Sequence, residues 1–292
     1  MRYFENLHPI CILLYFVAVI GLTLACFHPV MLVVSLAGAF SFLLRLKGGK
    51  GAGMQLRFVA SMFLLVAVAN PLINHHGVTL LGMFLNQWIT LEAIAYGITA
   101  GLSLAALILW FGCYSEVMTS EKFLYLFGKI APATSLLITM TLQLIPKLQN
   151  QLSDIRQGQE MLREQKKGSM AKLHTAIRHT STLIGWSVEN AVEQADSMKA
   201  RGYGLKRRTT FHLFHFDSRD ARFLTGILIL GGMCIIARVF GHGTMEFYPR
   251  MDVVITGESG IFLYCIFAVL VCLPTILEGK EAVRWRSYGL TS

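Results

Sequence analysis

The uncharged stretch from Leu7 to Leu44, LHPICILLYFVAVIGLTLACFHPVMLVVSLAGAFSFLL, decides the fold class of this chain. It contains no Asp, Glu, Lys or Arg, and it is long enough for two membrane crossings of about 20 residues each. It continues through Pro9 and Pro29 and has no short apolar core followed by a small-residue cleavage site, so it is not a secretory signal. We interpret it as two transmembrane spans joined near His28-Pro29.

Three further uncharged runs, at 58–91, 93–115 and 259–277, also have membrane length. Of the 292 residues, 54% are apolar and 15% are charged, and the mean hydropathy is +0.55, whereas soluble domains carry about 25% charged residues. This composition excludes an ordinary cytosolic globule. It predicts an all-α polytopic membrane protein with about six transmembrane helices, near residues 10–27, 30–45, 58–73, 93–112, 222–240 and 259–277.

The net charge of +9 is unevenly distributed, and its distribution predicts an orientation. Lys and Arg cluster at 45–57, at 147–222 and in the C-terminal tail, whereas residues 74–90 contain none. Because Lys and Arg stay on the cytoplasmic side of membrane proteins, both termini are expected in the cytoplasm and the chain at the cell membrane. The basic charge therefore indicates a lipid bilayer, not nucleic acid. The six cysteines form no CxxC pair and are expected to be free thiols.

Two segments fit the six spans less simply. Residues 78–89 are apolar but short, and we interpret them as an interfacial or re-entrant piece at the outer face. Residues 123–146 contain Lys129, Pro132 and Pro146, which favour a broken helix at the inner face over a further span. A span there would invert the orientation of everything that follows.

The chain is expected to divide into N-terminal transmembrane helices (1–122), inner-face and cytoplasmic helices (123–221), and C-terminal transmembrane helices with a basic tail (222–292). The middle part contains two amphipathic helical patterns separated by Gly168-Ser169. The first has an apolar stripe of Leu148, Leu152, Ile155 and Leu162 and a polar stripe of Gln149, Ser153, Arg156, Glu160 and Arg163. The second has an apolar stripe of Ile184, Val188, Ala191, Ala195 and Met198 and a polar stripe of Asn190, Gln194, Ser197 and Arg201. An ordinary pair of surface helices with solvated polar faces would also fit this periodicity.

The second amphipathic helix ends in an unusual sequence, Met198-Lys199-Ala200-Arg201-Gly202-Tyr203-Gly204. Gly202 and Gly204 suit a C-terminal cap with positive φ. Ala200 and Gly202 leave Arg201 with almost no side-chain bulk beside it, so it can enter a partner's groove and bind a carboxylate with two hydrogen bonds.

This run resembles the transmembrane T component of energy-coupling factor (ECF) transporters, the group that includes the cobalt-transport Q proteins. The resemblance rests on the run 197–204, on Arg207-Arg208-Thr209 after it, and on the amphipathic helix before it. It extends over nearly the whole chain, through the order of spans, Thr119-Ser120-Glu121-Lys122 leading to Pro132, and Leu144-Ile145-Pro146.

The resemblance implies a non-catalytic membrane subunit of an ABC-type vitamin or metal importer in prokaryotes. Such a subunit links two cytoplasmic ATPases, which hydrolyse the ATP, to a separate substrate-binding membrane (S) subunit, and it has no cofactor of its own. In the family, two coupling helices each end in an Ala-Arg-Gly-like motif that docks into one ATPase. Ala200, Arg201 and Gly202 match the second motif. The first is degenerate here, with Arg156 and Arg163 as candidates, which would suit nonidentical ATPases or one fused double ATPase.

Other chemistry has weaker support in the sequence. Gly48-Gly49-Lys50-Gly51 lacks the strand and glycine frame of a phosphate-binding loop and is expected to be a basic turn. Asn74-His75-His76 has no zinc-ligand spacing, so no metal site is predicted; an intramembrane enzyme using this outer-face region is the alternative function. Glu92 and Arg238 lie only at the ends of spans, which disfavours a proton-coupled carrier.

Small residues recur on the fourth predicted span. Gly97, Gly101 and Ala105 form a small-xxx-small ridge, which allows another helix to approach closely. The ridge either packs within this chain or serves as a sliding surface for the substrate-binding subunit, and the sequence does not separate these two interpretations.

Overall fold

A computed structural model describes residues 4–74, 77–84, 87–128, 131–161, 168–205, 214–241, 245, 247 and 258–287. This part of the chain is helical apart from one small ribbon, which confirms a helical membrane-protein fold. In chain order, the elements are a 3-10 turn (Phe4–Asn6), α1 (Pro9–Ala25), α2 (Pro29–Ile73), β1 (Leu80–Phe84), β2 (Gln87–Thr90), α3 (Leu91–Val117), α4 (Ser120–Gly128), α5 (Pro132–Met161), α6 (Ser169–Ala200), α7 (Ser218–Val239) and α8 (Glu258–Ser287).

The chain forms two compact units. Unit 1 comprises Met1–Phe123 and Phe214–Ser292 and holds the membrane-length helices, whereas unit 2 comprises Leu124–Leu213 and holds α5 and α6. Unit 2 lies within the segment 123–221 that the sequence separates from the membrane helices. Helix α7 begins at Ser218, slightly before the expected boundary.

Helix α2 is two membrane-length helices joined at a break. Gly48 has φ 69° and ψ 176°, which is not helical geometry and which glycine adopts without steric cost. The two arms, α2a (Pro29–Gly49) and α2b (Gly51–Ile73), are each long and apolar enough to cross a membrane. The glycine-rich run therefore joins two spans.

Contacts with α3 give the direction of the first arm. Ser35, early in α2a, accepts a 2.9 Å hydrogen bond from the indole Nε1 of Trp110, and Lys47, late in α2a, forms a 2.9 Å ion pair with Glu116. Residue numbers thus rise together along the two helices, so α2a runs parallel to α3.

The second arm runs the other way. Gln55 lies against Gly112 near the end of α3, whereas Phe63 lies against Gly101, which is earlier in α3. Since α2b is antiparallel to α3 and α2a is parallel to it, the chain reverses its direction at Gly48.

The ends of unit 1 can be named from these contacts: the Gly48 end carries Gly48 and the C-terminus of α3, and the His28 end is opposite. Both ends of the described chain lie at the Gly48 end. Lys122 donates hydrogen bonds to the carbonyls of Glu5 and Val117, and Gly279 of α8 lies against the Arg45 guanidinium. An even number of membrane crossings would place both ends of the described chain on the same side.

Five helices in the described residues are long and apolar enough to span a membrane: α2a, α2b, α3, and the segments Ser218–Val239 and Gly260–Glu281. They match five of the six predicted spans. Helix α1 is also apolar, but its 17 residues extend only about 26 Å at 1.5 Å per residue. Helix α5 is not among the five.

Segment 123–146 contains a broken helix, as the sequence predicts. The break lies between α4 and α5, and α5 then continues through Pro146 from Pro132 to Met161. Pro146 removes only the hydrogen bond to the carbonyl of Leu142, and both residues are exposed, so this side of the helix tolerates the loss.

Residues 78–89 form an exception to the all-α prediction. Strands β1 and β2 pair antiparallel, with Leu80 opposite Thr90 and Phe84 opposite Gln87. In this way, an apolar segment too short for a spanning helix satisfies much of its backbone internally.

Candidate functional site

Helix α6 ends in a Schellman motif at Arg201. The Gly202 N–H donates to the Lys199 carbonyl (2.9 Å), and the Tyr203 N–H donates to the Met198 carbonyl (3.0 Å). These two bonds satisfy carbonyls that the helix end would otherwise leave without partners. The motif ends the helix at Ala200, with Arg201 as its C-cap residue.

The two glycines after Arg201 have the backbone geometry that the sequence predicts. Gly202 has φ +79° and Gly204 has φ +97°, both in the left-handed region. A Cβ on Gly202 would also lie 3.1 Å from Leu205 Cδ1. The positive-φ cap is therefore confirmed, and Ala200 and Gly202 flank Arg201 with one methyl group and no side chain.

The Arg201 side chain is exposed and, within the described parts of the chain, has no ion-pair partner. The neighbouring Lys199 differs, since its ammonium lies 3.7 Å from a carboxylate oxygen of Asp196. Both groups of that pair are largely exposed, so it contributes little. Arg201 is thus an exposed cation on a capped helix end, available to an anionic group.

A groove of about 760 Å³ lies between the end of α6 and the first half of α5, and Arg201 is part of its wall. The predicted polar stripe of α6 lines this groove with Asn190, Gln194, Ser197 and Arg201. Helix α5 contributes Gln143 and Lys147, which the sequence does not predict as site residues. Leu136, Met140 and Met198 also line the groove, so it combines polar and apolar side chains.

The apolar stripe of α6 points away from α5. Ile184, Val188, Ala191 and Ala195 of the predicted stripe are exposed, and only Met198 is partly buried in the groove wall. The stripe also extends further than predicted. Five of its large side chains, each 57–60% exposed, fall within about 100° of the helix circumference: Leu173, Ile177, Ile184, Val188 and Val192.

An exposed apolar stripe of this length is typical of a surface that a partner covers. Full burial of each large aliphatic side chain is worth about 1.5–3 kcal/mol. The outward apolar stripe of α6 therefore differs from the face of an ordinary surface helix. Helix α5 differs from α6, because Leu148, Leu152 and Ile155 of its predicted apolar stripe are half-buried.

The two candidates for the first coupling motif differ from Arg201. Arg156 is exposed but lies inside α5, five residues before the helix ends at Met161. Arg163 lies outside the described residues. Arg156 is therefore not presented at a helix end, whereas Arg201 is.

The small-residue ridge of α3 is occupied within this chain. A Cβ on Gly97 would lie 3.1 Å from the Ala67 carbonyl oxygen, and one on Gly101 would lie 2.9 Å from Phe63 Cδ2. Ala105 is buried as well. The ridge packs against α2b, so it is not a free sliding surface.

At the His28 end, the structure explains Glu92 as a structural carboxylate. Glu92 is 3% exposed, and its Oε1 accepts hydrogen bonds from the Thr79 hydroxyl (2.6 Å) and from the backbone N–H groups of Thr79 (3.1 Å) and Val78 (3.3 Å). These bonds fix the chain before β1 to the start of α3.

The polar region at Asn74 is described only in part. The Asn74 side chain donates to Asn70 Oδ1 (2.7 Å), while His75 and His76 lie outside the described residues. Among the described residues, no three His, Cys, Asp or Glu side chains are grouped so that they could hold a metal ion. The enzymatic alternative stays a prediction.

His28 gives the His28 end a pH-dependent cap. Its Nδ1 accepts a 3.3 Å hydrogen bond from the Val30 N–H at the start of α2a, and its ring stacks on Tyr264. Burial lowers the pKa of His28 below its usual value. Protonation of Nδ1 would break this cap.

We therefore expect the purified chain to lose stability in acid. With its pKa lower in the folded than in the unfolded state, His28 contributes stability that falls as the pH drops through the unfolded value of about 6.5. The melting temperature should fall by roughly 2–4 °C between pH 7.5 and 5.5 in detergent. In His28→Asn, the asparagine side chain can cap α2a but does not titrate, so the fall in melting temperature should be smaller. An unchanged fall in this variant would show that other groups cause it.

The sequence matches no model of a known protein family, and it matches no curated protein.

Proposed function

We propose that this chain is the transmembrane coupling (T) subunit of an ECF-type ABC importer for a vitamin or a metal ion. In this function it transmits the movement of cytoplasmic ATPases to a separate substrate-binding membrane subunit, and it catalyses no reaction itself. The observation that carries the proposal is the end of α6, where a glycine cap presents an exposed arginine that forms no ion pair with any residue the structure describes.

The exposed Arg201 suits a contact with an ATPase. A guanidinium at a fixed helix end can donate two parallel hydrogen bonds to one carboxylate, and the small neighbours Ala200 and Gly202 allow close approach. Lys147 in the same groove adds positive charge, against one carboxylate from Glu193. A negatively charged groove on the ATPase fits this surface.

Helix α6 also has the form of a lever. It runs without interruption for 32 residues, about 48 Å, from Ser169 to Ala200. Movement imposed on Arg201 would therefore be carried along the helix to its apolar stripe. The stripe supports contact with an apolar membrane protein, and the substrate-binding subunit is the partner we assign to it.

The arrangement of unit 1 supports an even number of crossings with cytoplasmic termini in a prokaryotic cell membrane. We include α1 as the sixth span, since 17 residues is at the short end of the usual range. Arg45 and Lys47 lie at the Gly48 end, which also holds both ends of the described chain. By the positive-inside rule, that end is the cytoplasmic one.

The energy source in this proposal is a pair of ATPase subunits or one fused double ATPase. One ATPase would bind at Arg201. Arg156 or Arg163 would make the contact with the other, and the different setting of Arg156 favours two nonidentical ATPase sites. The transported substrate is selected by the other membrane subunit and is not encoded in this chain.

Co-purification tests the proposal. The tagged chain is expressed with the ABC ATPases encoded nearest to its gene, extracted in mild detergent and analysed by size exclusion. We expect one complex that contains the chain and its ATPases, with ATP hydrolysis that depends on the ATPases alone. A monodisperse, folded chain that elutes without any ATPase would contradict the proposed function.

A further inference from the structure

The chain leaves unit 1 for unit 2 directly after a buried lysine. Lys122 is 7% exposed, and its Nζ donates to the Glu5 carbonyl (2.7 Å) and to the Val117 carbonyl (2.8 Å). Burial lowers the pKa of Lys122, and the negative charge of Glu5 opposes this effect. These bonds tie the start of α4 to the end of α3 and to the N-terminal segment.

The chain returns to unit 1 beside a buried aspartate. Asp220, in the first turn of α7, is 4% exposed. Its Oδ1 accepts a hydrogen bond from the His8 N–H and its Oδ2 accepts one from the Asp217 N–H, both at 3.0 Å. The His8 ring also packs edge-on against Phe216, with ring centroids 5.6 Å apart. The return point is thus tied to the N-terminal segment as well.

The N-terminal segment is itself fixed in the core of unit 1. The fully buried ring of Phe4 makes edge-to-face contacts with four aromatic rings, at centroid distances of 5.4–6.2 Å: Tyr15, Phe16, Phe42 and Phe223. Glu5 and His8 are three residues apart, so their backbones can be no more than about 11 Å apart.

We propose that residues 4–8 form a clasp that holds together the two points where the chain enters and leaves unit 2, with Lys122 and Asp220 as its positioning residues. The mechanical part of this inference rests on the proposed function. With the clasp closed, a displacement of unit 2 must move the helices of unit 1. With the clasp open, the two chain segments that join unit 2 to unit 1 would absorb the displacement.

The closed clasp can be measured on the isolated chain. Spin labels are attached at Glu121→Cys and Ser218→Cys, two exposed positions beside Lys122 and Asp220, with Cys265 and Cys272 replaced by alanine. We expect a narrow distance distribution in detergent that widens in Lys122→Met and in Asp220→Leu. Lys122→Arg, which keeps a donor, should restore a narrow distribution, and Lys172→Met at an exposed lysine should leave it unchanged.

A broad distance distribution in the otherwise unchanged chain would overturn the clasp. So would a distribution in Lys122→Met and Asp220→Leu that is as narrow as in the otherwise unchanged chain. If one of these variants does not fold, the other gives the answer. If neither folds, the label distance is measured in the otherwise unchanged chain, in different nucleotide states of the complex. A shift of more than about 5 Å, close to one helical turn of about 5.4 Å, would overturn the clasp. A constant distance would support it.

The functional consequence is measured in the reconstituted complex. Lys122→Met should keep ATPase co-elution and hydrolysis within about twofold but lose about tenfold of uptake per ATP, a loss typical of broken coupling. Unchanged uptake per ATP would overturn the mechanical role. If the unmodified chain does not bind ATPases, the proposed function fails, whereas the label distances still test the clasp.

Discussion

Replacement of Arg201 by alanine should abolish ATP-driven uptake while the chain remains folded and inserted. The guanidinium is exposed and forms no ion pair in the described parts of the chain, and the cap around it consists of backbone hydrogen bonds. Truncation therefore removes no ion pair among the described residues, and we expect the isolated chain to fold normally. At an interface, loss of a buried, paired arginine costs about 2–5 kcal/mol, because the partner's carboxylate is left without its cation. That cost weakens ATPase binding by roughly 30-fold or more.

Lys199→Ala is the matched control for Arg201→Ala. It removes one positive charge two residues earlier on the same helix end, from a side chain whose ion pair with Asp196 is exposed. We expect ATPase recovery close to that of the unmodified chain. Arg201→Lys keeps the charge but loses the geometry for two parallel hydrogen bonds. Its ATPase recovery should lie between those of Arg201→Ala and Lys199→Ala. Normal uptake with Arg201→Ala would contradict the role of Arg201.

Gly101→Leu is expected to prevent the transmembrane unit from packing. Even a Cβ at this position would lie 2.9 Å from Phe63 Cδ2 and 3.1 Å from the Phe63 carbonyl oxygen. The remaining leucine atoms would force α3 away from α2b. Overpacking of this kind costs about 3 kcal/mol, and lipid offers no hydrophobic compensation for separated helices. We expect a large loss of monodisperse protein in size exclusion and a lower melting temperature.

Gly21→Leu provides the comparison on α1, another apolar helix of unit 1. Nothing lies within 4 Å of a Cβ at Gly21 of α1, and the residue is exposed, so the added side chain meets open space. This variant should resemble the unmodified chain in yield and stability. Equal behaviour of the Gly101 and Gly21 variants would show that the α2b–α3 contact is not tightly packed.

The membrane helices were predictable because long uncharged runs have few other stable solutions. The turn at Gly48 was predictable as well, since basic residues and glycines interrupt two such runs. The cap of α6 followed from local sequence, because only the backbone near Gly202 is involved in it. These features depend on short-range chemistry that the sequence displays directly.

The missed features depend on contacts between distant residues. Lys122 and Glu5 are separated by 117 positions, and His8 and Asp220 by 212, so no local pattern indicates that these charged groups are buried. The periodicity of α6 gave its two faces, but not which of them meets α5. The role of the small-residue ridge likewise needed the position of Phe63.

The outward apolar stripe of α6 has a consequence for the life of the newly made chain. If the chain functions as proposed, a copy produced without its partners would display this stripe to the cytoplasm, where chaperones and proteases act on unfolded or unassembled chains. Its abundance would then follow the supply of its partners, and surplus copies would be degraded. An apolar surface on a helix can thus regulate stoichiometry without any regulatory site.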